Sequence, residues 1–275
     1  MDSIVVSALF IYPVKSLRGV AVDAAALHGG RLVGDREYLV VDGDGRFMDQ
    51  RRYPKMARVE ALVTSSGLRL RSDGFRDLDV RSPLASGAEL RVTHVPIFRR
   101  SAPVTATSAE ADRWLSAVLE CPCRLMAFVP AAPALNVPFY EVHSSLQDAT
   151  PFHLTSEESL ADLNARARTS LPMIRFRPNV VVRGAQAYAE DSWKTVAIGD
   201  TVLRWVKPCT RCVVTTTDHL TGERTSREPL VALSKYRRHG SEVVFGHYLM
   251  PERCGADMRV GDPLRIIEKA ETRPY

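Results

Sequence analysis

Lysine is scarce in this chain of 275 residues: of 37 basic residues only six are Lys, at positions 15, 55, 194, 207, 235 and 269. The positive charge is therefore almost all Arg, whose planar fork of donors suits carboxylate and phosphate. An Arg-rich genome would give the same total, so placement says more than number. No dense Lys/Arg run interleaved with aromatics is present, which removes the usual signature of a protein that binds nucleic acid as a polymer. No apolar stretch approaches the roughly 18 residues that span a bilayer. The run 4–12 is too short, and the N-terminus carries Asp2 and no basic region. The expectation is a cytoplasmic protein with neither membrane nor nucleic acid as a partner. Cysteine is sparse and odd in number, at 121, 123, 209, 212 and 254, unlike the dense even set of a secreted disulfide scaffold. Reduced thiols are expected.

What is present is an ordinary globular composition, 45% hydrophobic and 25% charged, enough for one large domain or two small ones. Short apolar or alternating runs at 4–12, 37–41, 57–63, 68–71, 89–95 and 124–128 predict strands, separated by turn signals such as Asp42-Gly43-Asp44-Gly45. Two segments predict helices: Thr107-Ser108-Ala109-Glu110 and Thr155-Ser156-Glu157-Glu158 both have capping-box spacing ahead of periodic leucines. Between them the proline-rich stretch from Val129 to Pro138 suits neither helix nor central strand. It sets an expected boundary between domains 1–128 and 129–275. The second half predicts strands at 179–183, 201–207, 213–217, 243–250 and 263–267, with a helix at 230–236. Many short strands and few helices imply an α+β fold, mainly β, with a β-barrel-like C-terminal domain preceded by a smaller β-rich one.

The hexapeptide Lys207-Pro208-Cys209-Thr210-Arg211-Cys212 sets two thiols among fixed positive charges. Neighbouring cations favour the thiolate, the form that binds metals or attacks electrophiles. Spacing alone leaves half a zinc site, a redox pair and two buried small residues all open. Tyr12-Pro13-Val14-Lys15-Ser16 presents a lysine and a hydroxyl on a proline-stiffened turn after a strand. Gly34-Asp35-Arg36, Arg51-Arg52 and Arg175-Phe176-Arg177-Pro178-Asn179 add cations and an amide in turn-like sequence. Each alone reads as an ordinary solvated or paired surface group.

As an ordered series these motifs resemble the MOSC proteins, named for the C-terminal domain of molybdenum-cofactor sulfurase, in the branch that includes the mitochondrial amidoxime-reducing component and its bacterial relatives. The matching order adds Pro151-Phe152-His153-Leu154 and Val260-Gly261-Asp262-Pro263 to the elements above and covers almost the whole chain. The resemblance implies a molybdenum cofactor, a pterin carrying a dithiolene and a phosphate, with Cys212 supplying a thiolate to the metal. It places Lys15, Ser16, Arg36, Arg51, Arg177, Asn179, Thr210 and Arg211 around the cofactor. Many relatives have Arg-Gln where this chain reads Arg51-Arg52, which leaves open the arginine that meets the cofactor. Some bacterial relatives carry a C-terminal ferredoxin domain. Here few residues follow the last expected strand, so a separate ferredoxin-, flavin- or haem-type electron donor is expected.

The activity so implied is reduction of small N-hydroxylated compounds, such as amidoximes, hydroxylamines or N-hydroxylated base analogues. Asp148, just ahead of the Pro151 element, is the first acid to consider as proton donor or pocket group, against local turn bonding. His153 and His247 are further candidate relays, against structural histidines. A sulfur carrier holding a persulfide on Cys212 or Cys209 is the alternative, and a low thiol pKa would serve it equally. The N-terminal cations discriminate, since a carrier has little need of Lys15, Arg36 and Arg51 converging on its thiol. A structural zinc site on Cys209 and Cys212 would need two more ligands, from Cys121 and Cys123 or from Cys254 and a histidine. Cys121 and Cys123 otherwise read as incidental packing.

Overall fold

The computed structural model describes residues 3–85, 87, 89–98, 100–130, 146–147 and 149–270. Numbered along the chain, the strands of the first half are β1 (Val5–Ile11), β2 (Val20–Val22), β3 (Ala24–His28), β4 (Arg31–Leu32), β5 (Tyr38–Asp42), β6 (Glu60–Thr64), β7 (Gly67–Arg71), β8 (Leu78–Arg81), β9 (Thr93–Ile97), β10 (Arg100–Ala106) and β11 (Cys123–Phe128). The second half supplies β12 (Phe152–Ser156), β13 (Val180–Arg183), β14 (Trp193–Ile198), β15 (Thr201–Arg211), β16 (Arg238–His239), β17 (Glu242–Arg253), β18 (Asp257–Arg259) and β19 (Leu264–Lys269). Three α-helices accompany them, α1 (Ala109–Leu119), α2 (Glu157–Arg166) and α3 (Leu230–Leu233). The fold is mostly β.

Among the described residues the strands form four sheets. The largest runs β19-β14-β15-β17-β12-β13-β1-β2, with β16 attached to β17. All its pairings are antiparallel except β12 with β13. A parallel pair needs a crossover, and α2 provides it. The sheet curls until β1 meets the start of β19: Val6 N donates to Asp262 O at 2.9 Å and Leu264 N to Ile4 O at 2.8 Å. The enclosed core includes Leu9, Phe152, Leu154, Val180, Val196 and Leu249. Burying each of these stabilises by about 1.5–3 kcal/mol. A second core gathers Val40, Met56, Leu68, Leu115 and Leu125 under α1. The first strand therefore crosses the expected boundary at 128, because β1 and β2 pair within the sheet of the C-terminal half.

Both long helices start one residue later than the capping-box spacing predicts. Ser108 Oγ accepts from Ala111 N and Ser156 Oγ from Ser159 N, both at 3.1 Å. The preceding threonines are occupied by strand pairing: Thr107 N donates to Leu125 O, and Thr155 pairs with Val181. The cap therefore passes to the next hydroxyl. Two strand expectations also shift. Residues 57 and 58 close a 3-10 turn, Pro54–Arg58, begun by a proline, so the strand starts at Glu60. Residues 213–217 are not a strand, because Val213–Thr216 forms a 3-10 turn. Thr215 Oγ1 donates back to Cys212 O at 2.9 Å and Thr216 Oγ1 to Val213 O at 2.7 Å. Such local bonds compete with strand pairing. The preceding strand instead runs on through Arg211, which carries Cys209 inside β15 and leaves Cys212 at the turn beyond it.

Candidate active site at the junction of the two halves

One cavity of about 120 Å³ collects Lys15, Ser16, Arg36, Arg51, Arg177, Asn179, Thr210, Arg211 and Cys212 on its walls, together with His153 and Tyr248. Every cofactor-binding residue expected from the sequence is there. Asp148 lies outside the described residues; its neighbours Gln147 and Ala149 line the cavity. Arg51 lines it, whereas Arg52 sets its guanidinium beside the Tyr53 ring, 5.7 Å from the centroid.

The N-terminal wall is built by the Tyr12–Ser16 turn docking on β5. Lys15 N donates to Tyr38 O at 2.7 Å, and Arg36 N to Tyr12 O at 2.8 Å. The buried Lys15 ammonium donates to Leu146 O at 2.7 Å. The fully buried Tyr12 ring meets two cations, with the guanidinium carbons of Arg36 and Arg177 at 4.2 and 4.3 Å from its centroid. Its hydroxyl donates to Pro178 O at 3.0 Å, and burial pushes its pKa far above the ordinary phenol value despite both cations. Asp35, fully buried, accepts from Arg36 at 2.7 Å and from Tyr12 N at 2.9 Å. Arg36 also reaches Asn179 Oδ1 at 3.2 Å. Asn179 is stitched to the first strand, donating from Nδ2 to Phe10 O at 3.2 Å while its carbonyl accepts Phe10 N at 2.9 Å. Arg177 donates to Leu17 O at 2.7 Å. Ser16, Arg36 and Arg177 hold φ values of 69°, 53° and 57°. Left-handed backbone is costly for residues with a Cβ and persists where surrounding structure fixes it, commonly at functional sites.

The opposite wall depends on a bulge. Pro208 pairs with His247 and Thr210 with Val244, so β17 carries one residue more than β15 across this step. Gly246 sits there with φ +74°, and a Cβ on it would lie 2.5 Å from His153 Nε2 and 2.6 Å from Thr155 Cγ2. Bulges re-aim side chains beside active sites. Here it leaves Cys209 buried and Cys212 half-buried at the cavity. The Arg211 guanidinium donates to Cys209 Sγ and to Phe176 O, the latter at 2.7 Å. Its direct thiol partner is thus Cys209, not the adjacent Cys212, because alternate residues of an extended strand share a face. Burial raises the Cys209 pKa while Arg211 pulls it back. Arg211 Nε is buried without a hydrogen-bond partner among the described residues. No hydrogen bond among them uses Cys212 Sγ.

His153 is buried, its ring nitrogens each 3.3 Å from a carbonyl, those of Arg177 and Phe245. Burial, and then the Arg211 charge, hold its pKa well below the ordinary imidazole range. His247 is not at the cavity. It accepts the Trp205 indole N–H at Nδ1, 2.9 Å, so its proton sits on Nε2 and is donated to Asp191 Oδ1 at 2.9 Å. An indole is donor only, which fixes this tautomer. Arg237 also bonds Asp191, and His247 thereby belongs to a structural network. Arg175 is likewise turned away, paired with Asp218 at 2.7 Å. Burial pushes the Cys123 thiol up to about 11, as suits packing. No three His, Cys, Asp or Glu side chains gather as metal ligands among the described residues, so the zinc quartets considered from the sequence do not assemble there.

Sequence reasoning missed Tyr12 as the ring that meets two arginines, Asp35 as the buried counter-charge of Arg36, and Tyr248. The first two sit inside the quoted motifs, where a buried acid beside a turn arginine was the available signal. Tyr248 had none, because its place beside His153 comes from the pairing of β12 with β17.

Comparison with known proteins assigns the chain to a family. The MOSC N-terminal beta barrel domain matches residues 3–122 and the MOSC domain residues 141–265. The chain belongs to the MOSC family. It is 33% identical over 285 residues to mitochondrial amidoxime-reducing component 1 of Homo sapiens, covering 95% of this chain and 82% of that protein. It is 34% identical over 279 residues to mitochondrial amidoxime reducing component 2 of Bos taurus, covering 94% and 82%. Among solved structures, the YUAD protein from Bacillus subtilis aligns over 96% of this chain and 94% of its own at 12% identity, with a TM-score of 0.44.

Proposed function

We propose that the protein is a molybdenum-cofactor-dependent oxidoreductase that reduces N-hydroxylated compounds. The single observation carrying this reading is the convergence of Lys15, Ser16, Arg36 and Arg51 from the N-terminal half on the same cavity as Cys212. A persulfide carrier needs an accessible thiol and no such cationic wall. The names of the amidoxime-reducing relatives support the same activity.

The donor set fits the cofactor. One thiol at the cavity, without the further ligands a bare ion needs, suits a metal that arrives with dithiolene sulfur of its own. The unpartnered Arg211 Nε–H and the clustered cations suit a dianionic phosphate and polar pterin edges. Cys212 would be the metal ligand, and Lys15, Ser16, Arg36, Arg51, Arg177, Asn179, Thr210 and Arg211 would hold the pterin and its phosphate. When bound, the cofactor supplies two-electron chemistry and an acceptor for the substrate oxygen. The balanced reaction takes two electrons and two protons: the N–O bond of the amidoxime breaks, an amidine forms and the oxygen leaves as water. His153 is buried with a ring nitrogen 3.3 Å from each of two carbonyls, which fixes its ring in the wall. The protons then come from water or from Asp148. The electrons come from a separate ferredoxin-, flavin- or haem-type protein.

Molybdenum and zinc per chain, with fluorescence of the oxidised pterin released on denaturation, test the reading on protein made in a host that synthesises the cofactor. Molybdenum and pterin near one per chain, lost in Cys212→Ala, is the expected result. Neither present, while a control molybdoenzyme from the same host loads normally, would overturn it and direct attention to persulfide on Cys212.

A further inference from the structure

Six residues other than glycine have positive φ among those described. Glu120 ends α1, Tyr188 precedes the 3-10 turn Ala189–Ser192, and Ser16, Arg36 and Arg177 line the cavity. The sixth is Phe98, at φ +53°. Ile97 of β9 pairs with Arg100 of β10, which leaves a two-residue connection with Phe98 first. Tight hairpin turns with positive φ at that position favour Asn, Asp or Gly. A bulky aromatic there works against the turn, and with 60% of its surface exposed it adds little to the core.

Its surroundings suggest what it does instead. The ring packs edge-on against Phe47, centroids 6.1 Å apart, which fixes its direction. Arg51 and Lys15, both on the cavity wall, place their charged groups 5.2 and 5.9 Å from its centroid. The cavity lining is mainly hydrogen-bonding and charged groups, with Phe176, Val214 and Tyr248 among them. Phe98 lies outside that lining, next to two of its cations, where an exposed ring suits the apolar part of a small ligand.

We propose that Phe98 is a specificity-determining residue: its ring forms one wall of the cavity mouth and stacks on substrates whose N–O group is attached to a planar aromatic ring. This rests on the N-reductase reading of the site. The N-hydroxyl group is directed toward the cofactor held at Cys212 while the attached ring stays at the mouth against Phe98. Aromatic pairs prefer offset or edge-on contact, which an exposed, braced ring offers without rearrangement.

The test compares benzamidoxime with acetamidoxime, which share the reacting group and differ in the ring. Holoenzyme is assayed with reduced methyl viologen as electron source, as wild type, Phe98→Asn and Phe98→Tyr. Asn suits the turn and removes the ring. The expected result is a fall of about fivefold or more in the kcat/KM ratio of aryl to alkyl substrate for Phe98→Asn, carried by KM for benzamidoxime, with the ratio kept in Phe98→Tyr. The thermal midpoint of Phe98→Asn should equal or exceed that of wild type. Binding is read separately, by NMR broadening of benzamidoxime ring protons without reductant, expected in wild type and weakened in Phe98→Asn. An unchanged ratio with equal broadening overturns the proposal, as does a lowered midpoint with both substrates losing kcat together, which would mark Phe98 as packing for Phe47. If wild type reduces neither compound, the N-reductase reading fails, and the substrate assignment of Phe98 falls with it.

Discussion

Burial and the Arg211 charge hold His153 neutral, with a pKa far below the value near 6.5 of an unfolded chain. Below pH 6.5 the unfolded state takes up a proton that the folded state refuses. The stability associated with neutral His153 is therefore full above pH 6.5 and declines as pH falls toward the folded pKa. The slope for one proton is about 1.4 kcal/mol per pH unit. Urea unfolding of wild type and His153→Gln between pH 7.5 and 5.5 should show that extra slope in wild type alone; parallel curves would place a proton on the native imidazole. The two thiols differ in a comparable way. Cys209 is buried with Arg211 as donor, and Cys212 is half-buried on the cavity wall. Cys212→Ser should abolish molybdenum retention and N-reduction, while Cys209→Ser should keep most of both. Equal behaviour of the two variants would remove Cys212 as the ligand.

At the level of elements, the bulge opposite Cys209 positions the site, and the helix caps serve stability. Gly246 meets His153, Thr155 and the backbone of Leu154 closely enough that a methyl group cannot enter without moving β12. Positive φ adds strain for any side chain at this position. Gly246→Ala should cost about 2 kcal/mol or more and reduce cofactor retention, measured by denaturant midpoint and molybdenum content on one preparation. Ser108→Ala removes the α1 cap far from the cavity and should cost about 1 kcal/mol with cofactor content unchanged. These two variants separate damage to the wall from general loss of stability.

For the molecule as a whole, the cavity exists because two halves of the chain meet there. Arg224 ties them, donating to the carbonyls of Gln50 and Arg51 and to Thr217 Oγ1, and Gly222 lies against the backbone of Pro54 and Lys55. Cofactor-free protein should bind inorganic phosphate among these cations. Millimolar phosphate is expected to raise its thermal midpoint, and about 0.5 M NaCl should suppress the rise by screening. The same phosphate series on Arg224→Ala should give a smaller rise, because the loop bearing Arg51 is less firmly held. Among the described residues no helix is long and apolar enough to cross a membrane.

The sequence by itself determined the identity of the elements and the inventory of the site. Short apolar or alternating runs marked β1, β5, β7 and β11, hydroxyl caps followed by leucines marked α1 and α2, and the ordered turn motifs named the cationic residues with Cys212. These are local properties, set by propensity, period and side-chain chemistry. Tertiary structure alone decided that Thr107 and Thr155 are held in strand pairing and yield their caps to serines. It also decided that β1 joins the sheet of the other half, that Arg36 and Arg177 both meet the Tyr12 ring, and that Phe98 lies beside Arg51. Each of these depends on partners far away in the chain, and pairwise contact between distant residues leaves no periodic trace in either partner's own sequence.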